Sequence, residues 1–381
     1  MVIQIDGTNT LNKGAELMLV ALLEQIEKHH PEATVYYNTN NIGEKSQKFS
    51  TNLAIHQRFW LRNSKYPVGV LRRLKLPYTF FTSKHPVKGV NLLLDAAGFQ
   101  FSDQWNYTKE RLDELENYYK KLKSKGTKII FLPQAFGPFK TNEGKRAVEI
   151  INKYADIIFA REEISYNFIL EAGADKDKVQ LCTDFTLLVK GVLPKLDIQL
   201  KDKVCIIPNK KMITHANSSK NEYLSVMGDL ISIIRESGRE PFLLNHEGIG
   251  DLEICNLISK NSNKPLDILN GFNAKEVKGI IGSSYMVISS RFHGVASALN
   301  QGVPCLSTSW NHKYEMLFND FGLSKDYIIG LKPEIGELNK VVKTLLDKTE
   351  NEIVRDKLKE SRVKIDKKVN EMWNLIWNKN I

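Results

Sequence analysis

The chain has 381 residues, more than one ordinary hydrophobic core accommodates, and its 42% hydrophobic and 26% charged content is that of a globular protein. The formal net charge of +10 raises nucleic acid as a partner, but the sequence holds no recognisable nucleic-acid-binding module, so none is expected. Four cysteines (Cys182, Cys205, Cys255, Cys305) lie far apart with no C-x-x-C pair, which argues against a zinc site or a disulfide framework.

The start, MVIQIDG, lacks the basic and apolar regions of a secretory signal. No run approaches the roughly 18 apolar residues of a membrane span. A cytoplasmic protein is expected.

MVIQI reads as a strand, GTNTLNKGAE as a polar loop, LMLVALLEQIEKHH as an apolar-faced helix closed by Pro31, and ATVYY as the next strand. Residues 45–94 then carry ten Lys and Arg and no acid, equal to the whole net charge, together with the aromatic and aliphatic stretches FWLRN and YPVGVLRRLKLPYTFF. The segment reads as a solvated basic loop or as a surface for an anionic membrane or lipid-linked substrate. Each basic residue near the headgroups would there contribute about 1 kcal/mol, and aromatics settle at the interface.

Strands VNLLLD, KIIFLP, DIIFAR and VQLCTD follow. Between them fall helices around TKERLDELENYYKKLKSK, EGKRAVEIINKYA and EEISYNFILEAG. This alternation gives an N-terminal Rossmann-like domain over residues 1–190, with a parallel sheet covered on both faces. Residues 191–203, GVLPKLDIQLKDK, read as a linker. A second α/β series runs over 204–350 with strands KVCIIP, EPFLLN, DILNG, YMVISS and PCLSTS, and 351–381 reads as a C-terminal helix. The expected fold class is α/β, with two Rossmann-like domains facing a cleft.

Open α/β sheets bind ligands at the carboxyl ends of their strands, and polar residues recur there. In the first half they are Asp6 to Asn12, Asp95, Gln134, Arg161 and Asp184. In the second they are Asn209 with Lys210 and Lys211, then Asn245, His246 and Glu247, then SSRFHG (289–294) and SWNHK (309–313). SSRFHG precedes a helix expected to start at or just after His293, whose unpaired N–H groups and dipole favour an anion. Arg291 adds a planar fork for carboxylate or phosphate. His293 is expected to serve as a neutral acid–base group, and Ser289 and Ser290 as hydroxyl contacts or an N-cap. The same residues also fit an N-cap with a structural Arg paired to a distant acid. Lys313 reads as a second cation or a solvated helix start, and Arg161 as a ligand clamp or the partner of Glu162 or Glu163. The signatures of P-loop, dinucleotide-binding, zinc-protease and G-x-S-x-G hydrolase sites are missing from the sequence, and no metal is required.

SSRFHGVASALNQGVP, the NKGAELML loop, LPQAFGPF, AREEIS and NHKYEML together resemble the polysaccharide pyruvyl transferase family. The family's N-x-G-D is NKGA here, with Glu16 following. The resemblance implies a GT-B-like pair of domains with a C-terminal helix crossing back. It also implies transfer of pyruvate from phosphoenolpyruvate (PEP) to a saccharide diol as a cyclic ketal, in exopolysaccharide, capsule or cell-wall polymer biosynthesis. PEP is then a co-substrate and no cofactor is needed. His293 and Arg291 become catalytic candidates, and Arg161, Arg291, His293, Lys313 and Ser290 PEP contacts on the donor side. Asn12, Gly14, Asp95, Gln134, Asn209 and His246 become acceptor contacts. The acceptor would be a saccharide or lipid-linked oligosaccharide, placing the protein at the inner face of the membrane. A GT-B nucleotide-sugar glycosyltransferase and a non-catalytic saccharide-binding or regulatory protein of the same fold are the alternatives.

Overall fold

The computed structural model describes residues 1–39, 49–59, 86–214, 219–308, 312–330 and 333–378. Most of the basic segment, and with it the membrane-docking expectation, lies outside them. The chain divides into two compact units. The first holds residues 1–10, 18–186 and 368–381, and the second residues 11–17 and 187–367.

The first unit is built on a sheet of β1 (Val2–Asp6), β2 (Thr34–Thr39), β3 (Ala54–Phe59), β4 (Leu92–Asp95), β5 (Lys128–Gln134), β6 (Ile157–Ala160) and β7 (Val179–Leu181). Its order is β3-β2-β1-β4-β5-β6-β7, every neighbouring pair parallel. β4 and β6 are four-residue apolar strands with every residue buried, the pattern of a sheet covered on both faces. Thr108 and Thr141 cap the helices Lys109–Lys123 and Asn142–Tyr154 by accepting from the backbone N–H groups of Arg111 and Gly144. β3 (AIHQRF) was not expected, because its polar residues and its place in the basic segment hide its alternation.

The second unit holds β8 (Val204–Ile207), β9 (Pro241–Leu244), β10 (Ile268–Leu269), β11 (Met286–Ser289), β12 (Cys305–Thr308) and β13 (Ile328–Ile329). The order β10-β9-β8-β11-β12-β13 is again all parallel. Capping boxes, Ser219 with Glu222 and Asn273 with Glu276, start the helices Lys220–Glu236 and Ala274–Gly282. Both sheets are doubly wound: strand order reverses between β1 and β4 in the first and between β8 and β11 in the second, and ligands bind such sheets at that reversal.

Two helices belong to both units. The first, Lys13–His29, starts several residues before the expected apolar run, because Asn12 caps it, and its first turn groups with the second unit. The last, Lys348–Asn378, starts in the second unit and ends in the first, as expected for a helix crossing back. There Trp373, 1% exposed, meets Phe185 edge-on at 5.9 Å and stacks on Trp377. The four cysteines are buried free thiols.

Candidate functional site

The reversal point of the second sheet gathers the polar residues that the sequence places at its strand ends. After β8, Asn209 donates from Nδ2 to the Ser290 carbonyl (3.0 Å) and accepts from the Lys211 N–H (2.9 Å), tying the β8 and β11 loops together. Ser290 is 1% exposed; its hydroxyl bonds Tyr223 (2.8 Å) and Thr308, and its carbonyl also accepts from Tyr314 (3.1 Å). Both residues therefore shape the loops from within rather than facing a ligand. Ser289 forms the turn itself: its Oγ accepts from the Arg291 N–H and donates to the Arg291 carbonyl, both at 3.0 Å. A β-carbon on Gly294 would collide with that hydroxyl, which accounts for the glycine.

The helix Phe292–Asn300 begins one residue earlier than expected, with Arg291 at its N-cap and no side chain capping it. The positive end of the helix dipole favours a negative charge there. The Arg291 guanidinium is not the open fork that the sequence suggests. Nε and one terminal nitrogen bond Asp251 at 2.8 and 2.6 Å, and the other terminal nitrogen bonds Glu247. Burial pushes Asp251 up to about 7 and Arg291 down to about 10; the bidentate contact opposes that cost of burial. Hydrogens on both terminal nitrogens remain for a further acceptor. Asp251 was not singled out from sequence, although it lies four residues after Glu247 at the start of the helix Gly248–Asn261 and so on the same face.

His293 is partly exposed at the first turn of its helix. Gly14 lies against its imidazole, so that a β-carbon there would overlap Nδ1. The N-x-G and R-x-H motifs thus meet within the second unit. Asn12 Oδ1 accepts from the N–H groups of Gly14 (2.8 Å) and Ala15 (3.4 Å), and Asn12 pairs with Glu247 in an antiparallel bridge. His246, 4% exposed, is held neutral: burial, then the neighbouring Arg291, His293 and Lys13, push its pKa well below 6.5. Its Nδ1 is buried with no hydrogen-bond partner among the described residues. Burial and the Arg291 charge push the Lys211 ammonium down, while Asp251 opposes them. Lys313 lies in the helix His312–Asp320, but its side chain is outside the described set.

The first unit carries its own strand-end cluster. Asp6 and Asp95 are register partners, both fully buried. Asp6 accepts from Tyr118 (2.8 Å), Asn38 (2.5 Å) and Gln4 (3.2 Å), and Asp95 from the Ala97 N–H (3.1 Å). Burial, and then the Asp6 charge, push the Tyr118 phenol far above its usual range. Gln134 accepts from the Gln100 N–H (3.2 Å), and its buried Nε2 has no partner among the described residues. Arg161, 6% exposed, pairs with Glu162 (3.6 Å) and Asp184 (3.9 Å), so it is ion-paired within its unit. Among the described residues no group of three or more His, Cys, Asp or Glu is placed to hold a metal ion. No described helix is long and apolar enough to cross a membrane.

A family model described as polysaccharide pyruvyl transferase matches residues 12–312. A search of curated proteins finds no match. Among solved structures the chain is similar to a UDP-GlcNAc 2-epimerase from Methanocaldococcus jannaschii, with TM-score 0.55, 13% identity, and 92% of this chain and 94% of that one covered. It is similar to HepE of Anabaena in complex with UDP and glucose, with TM-score 0.58, 12% identity and 98% and 97% coverage. A lipopolysaccharide outer core galactosyltransferase, WaaB, aligns with TM-score 0.50, 14% identity and full coverage of both chains. At such identities the likeness is one of fold, the two-domain α/β fold of GT-B-like glycosyltransferases and epimerases.

Proposed function

The chain belongs to the polysaccharide pyruvyl transferase family, and from that premise we propose that it transfers pyruvate from PEP onto two hydroxyls of a saccharide, closing a cyclic ketal and releasing phosphate. The observation that supports this reading most is the join of the two motifs: His293 at an uncapped helix N-terminus, with Gly14 against its ring.

PEP carries a carboxylate and a phosphate and calls for several donors in fixed geometry. The positive end of the helix Phe292–Asn300 favours the anion, and Lys211 and the uncommitted hydrogens of Arg291 supply donors. Arg161 and Lys313 are proposed as further anion contacts. The Arg291 charge is balanced by Asp251 and Glu247, so its larger part is to hold the loop that carries His293. Asp95 and Gln134 are proposed for the acceptor. Asn12, Gly14, Asn209, His246 and Ser290 act by shaping the loops.

His293 passes a proton to the methylene carbon of PEP. The resulting oxocarbenium-like centre is attacked by one sugar hydroxyl, which loses its proton to the same group. The C–O bond to phosphate then breaks, and the second hydroxyl closes the ring as its proton leaves with phosphate. The balance is PEP plus diol giving ketal plus phosphate. The acceptor is proposed to be a saccharide or lipid-linked oligosaccharide of an exopolysaccharide, capsule or wall polymer.

The rival reading is a nucleotide-sugar glycosyltransferase, favoured by the similarity to HepE, which is in complex with UDP and glucose. Incubating the protein with PEP or UDP-glucose and a panel of saccharides separates them. Phosphate release matched by a saccharide gaining one pyruvyl group supports the proposal; turnover confined to UDP-glucose overturns it.

A further inference from the structure

We propose that Glu16 is a positioning residue for His293. The inference rests on the pyruvyl-transfer reading for its kinetic consequence, but not for its structural one.

Glu16 lies in the first turn of the helix Lys13–His29 and is 2% exposed. A carboxylate so buried is costly unless it is paired. Oε2 bonds the Lys13 ammonium at 2.6 Å, and Oε1 accepts from the Ala274 N–H at 3.1 Å. Ala274 is the first residue of the helix Ala274–Gly282, whose positive end favours a negative charge there. Glu16 is thus bonded both to its own turn and to a helix far away in sequence.

The consequence lies two residues earlier. Gly14 sits between two anchors: Asn12, bridged to Glu247, and Glu16, bonded to Ala274. The Glu16 N–H also donates to the Asn12 carbonyl at 2.8 Å, closing the turn between them. With both ends fixed, the Gly14 backbone forms a wall against the His293 imidazole. Without Glu16 the turn loses its bond to Ala274, and the wall beside the imidazole loosens. General acid–base groups tolerate little misplacement: an error of about 1 Å costs on the order of a hundredfold. The Asn12–Glu247 bridge also joins this turn to one of the acids on Arg291.

The test compares Glu16→Ala, Glu16→Gln and the parent protein. Two readouts are needed: steady-state turnover with PEP and a saccharide acceptor, and the ring-nitrogen NMR signals of His293, assigned with a His293→Gln variant. Glu16→Ala is expected to lower kcat by about ten- to a hundredfold with little change in the KM for PEP, and to shift and broaden the His293 signals. Glu16→Gln keeps an acceptor for Ala274 and is expected to restore most of both. Unchanged His293 signals in Glu16→Ala, or a loss confined to KM, overturn the proposal. If Glu16→Ala does not fold, Glu16→Asp, whose carboxylate is one methylene short of the Ala274 N–H, takes its place: a shift of the His293 signals there supports the proposal, and unchanged signals overturn it. If the parent protein does not turn over PEP, the functional reading fails, while the NMR comparison still decides the role of Glu16.

Discussion

Arg291 is gripped by two carboxylates, so the effect of a mutation depends on which partner goes. Removing Asp251 leaves a buried guanidinium with Glu247 alone. Asp251→Ala is expected to cost about 3–5 kcal/mol in urea unfolding, while replacing Asp251 and Arg291 together by apolar residues costs less. A single-variant cost below about 1 kcal/mol would mean that the pair does not hold the loop. His246 gives a pH signature. Its folded pKa is pushed well below 6.5, so below that pH the unfolded chain binds a proton that the folded chain refuses. Stability then falls as pH drops, by up to about 1.4 kcal/mol per pH unit from this group. His246→Gln is expected to flatten that fall in unfolding curves between about pH 5 and 6.5; an unchanged slope refutes the assignment. At His293, replacement by Ala is expected to lower kcat by about 10²–10⁴ without unfolding the protein, and full activity would remove it from the chemistry.

At the scale of elements, the sequence patterns are legible where one force dominates. Short apolar runs such as LLLD and VCII are strands because both faces of a parallel sheet are buried, and the helices between them follow from their apolar stripes. Hidden were features set by tertiary partners. The start of the first helix at Lys13 depends on the Asn12 cap and on Glu16 meeting Ala274. The acids on Arg291 come from β9's loop and the helix after it, 44 and 40 residues earlier in the chain. The strand-end rule picks out the candidate residues, but not which of them are buried: Ser290 and Asn209 are, His293 is partly exposed. The last helix carries its own prediction. Trp373→Ala removes a nearly fully buried indole from beside Phe185 and Trp377. It is expected to cost about 3–5 kcal/mol, read as a lowered Tm of the first unit by near-UV circular dichroism. A cost below about 1 kcal/mol would show that the returning helix does not stabilise that unit.

For the whole molecule, two doubly wound sheets each offer a strand-order reversal lined with polar groups. In the first these are acids, an amide and an ion-paired arginine; in the second, a helix end with no side-chain cap, His293, Lys211 and an arginine held by two carboxylates. The most direct measurement is turnover of PEP with a saccharide acceptor in D₂O. The account predicts phosphate release, and a saccharide-bound pyruvyl ketal whose methyl group has gained one deuterium per turnover, the reaction being strongly slowed in His293→Ala. PEP left unconsumed while UDP-glucose is turned over, or a ketal methyl without deuterium, would contradict it.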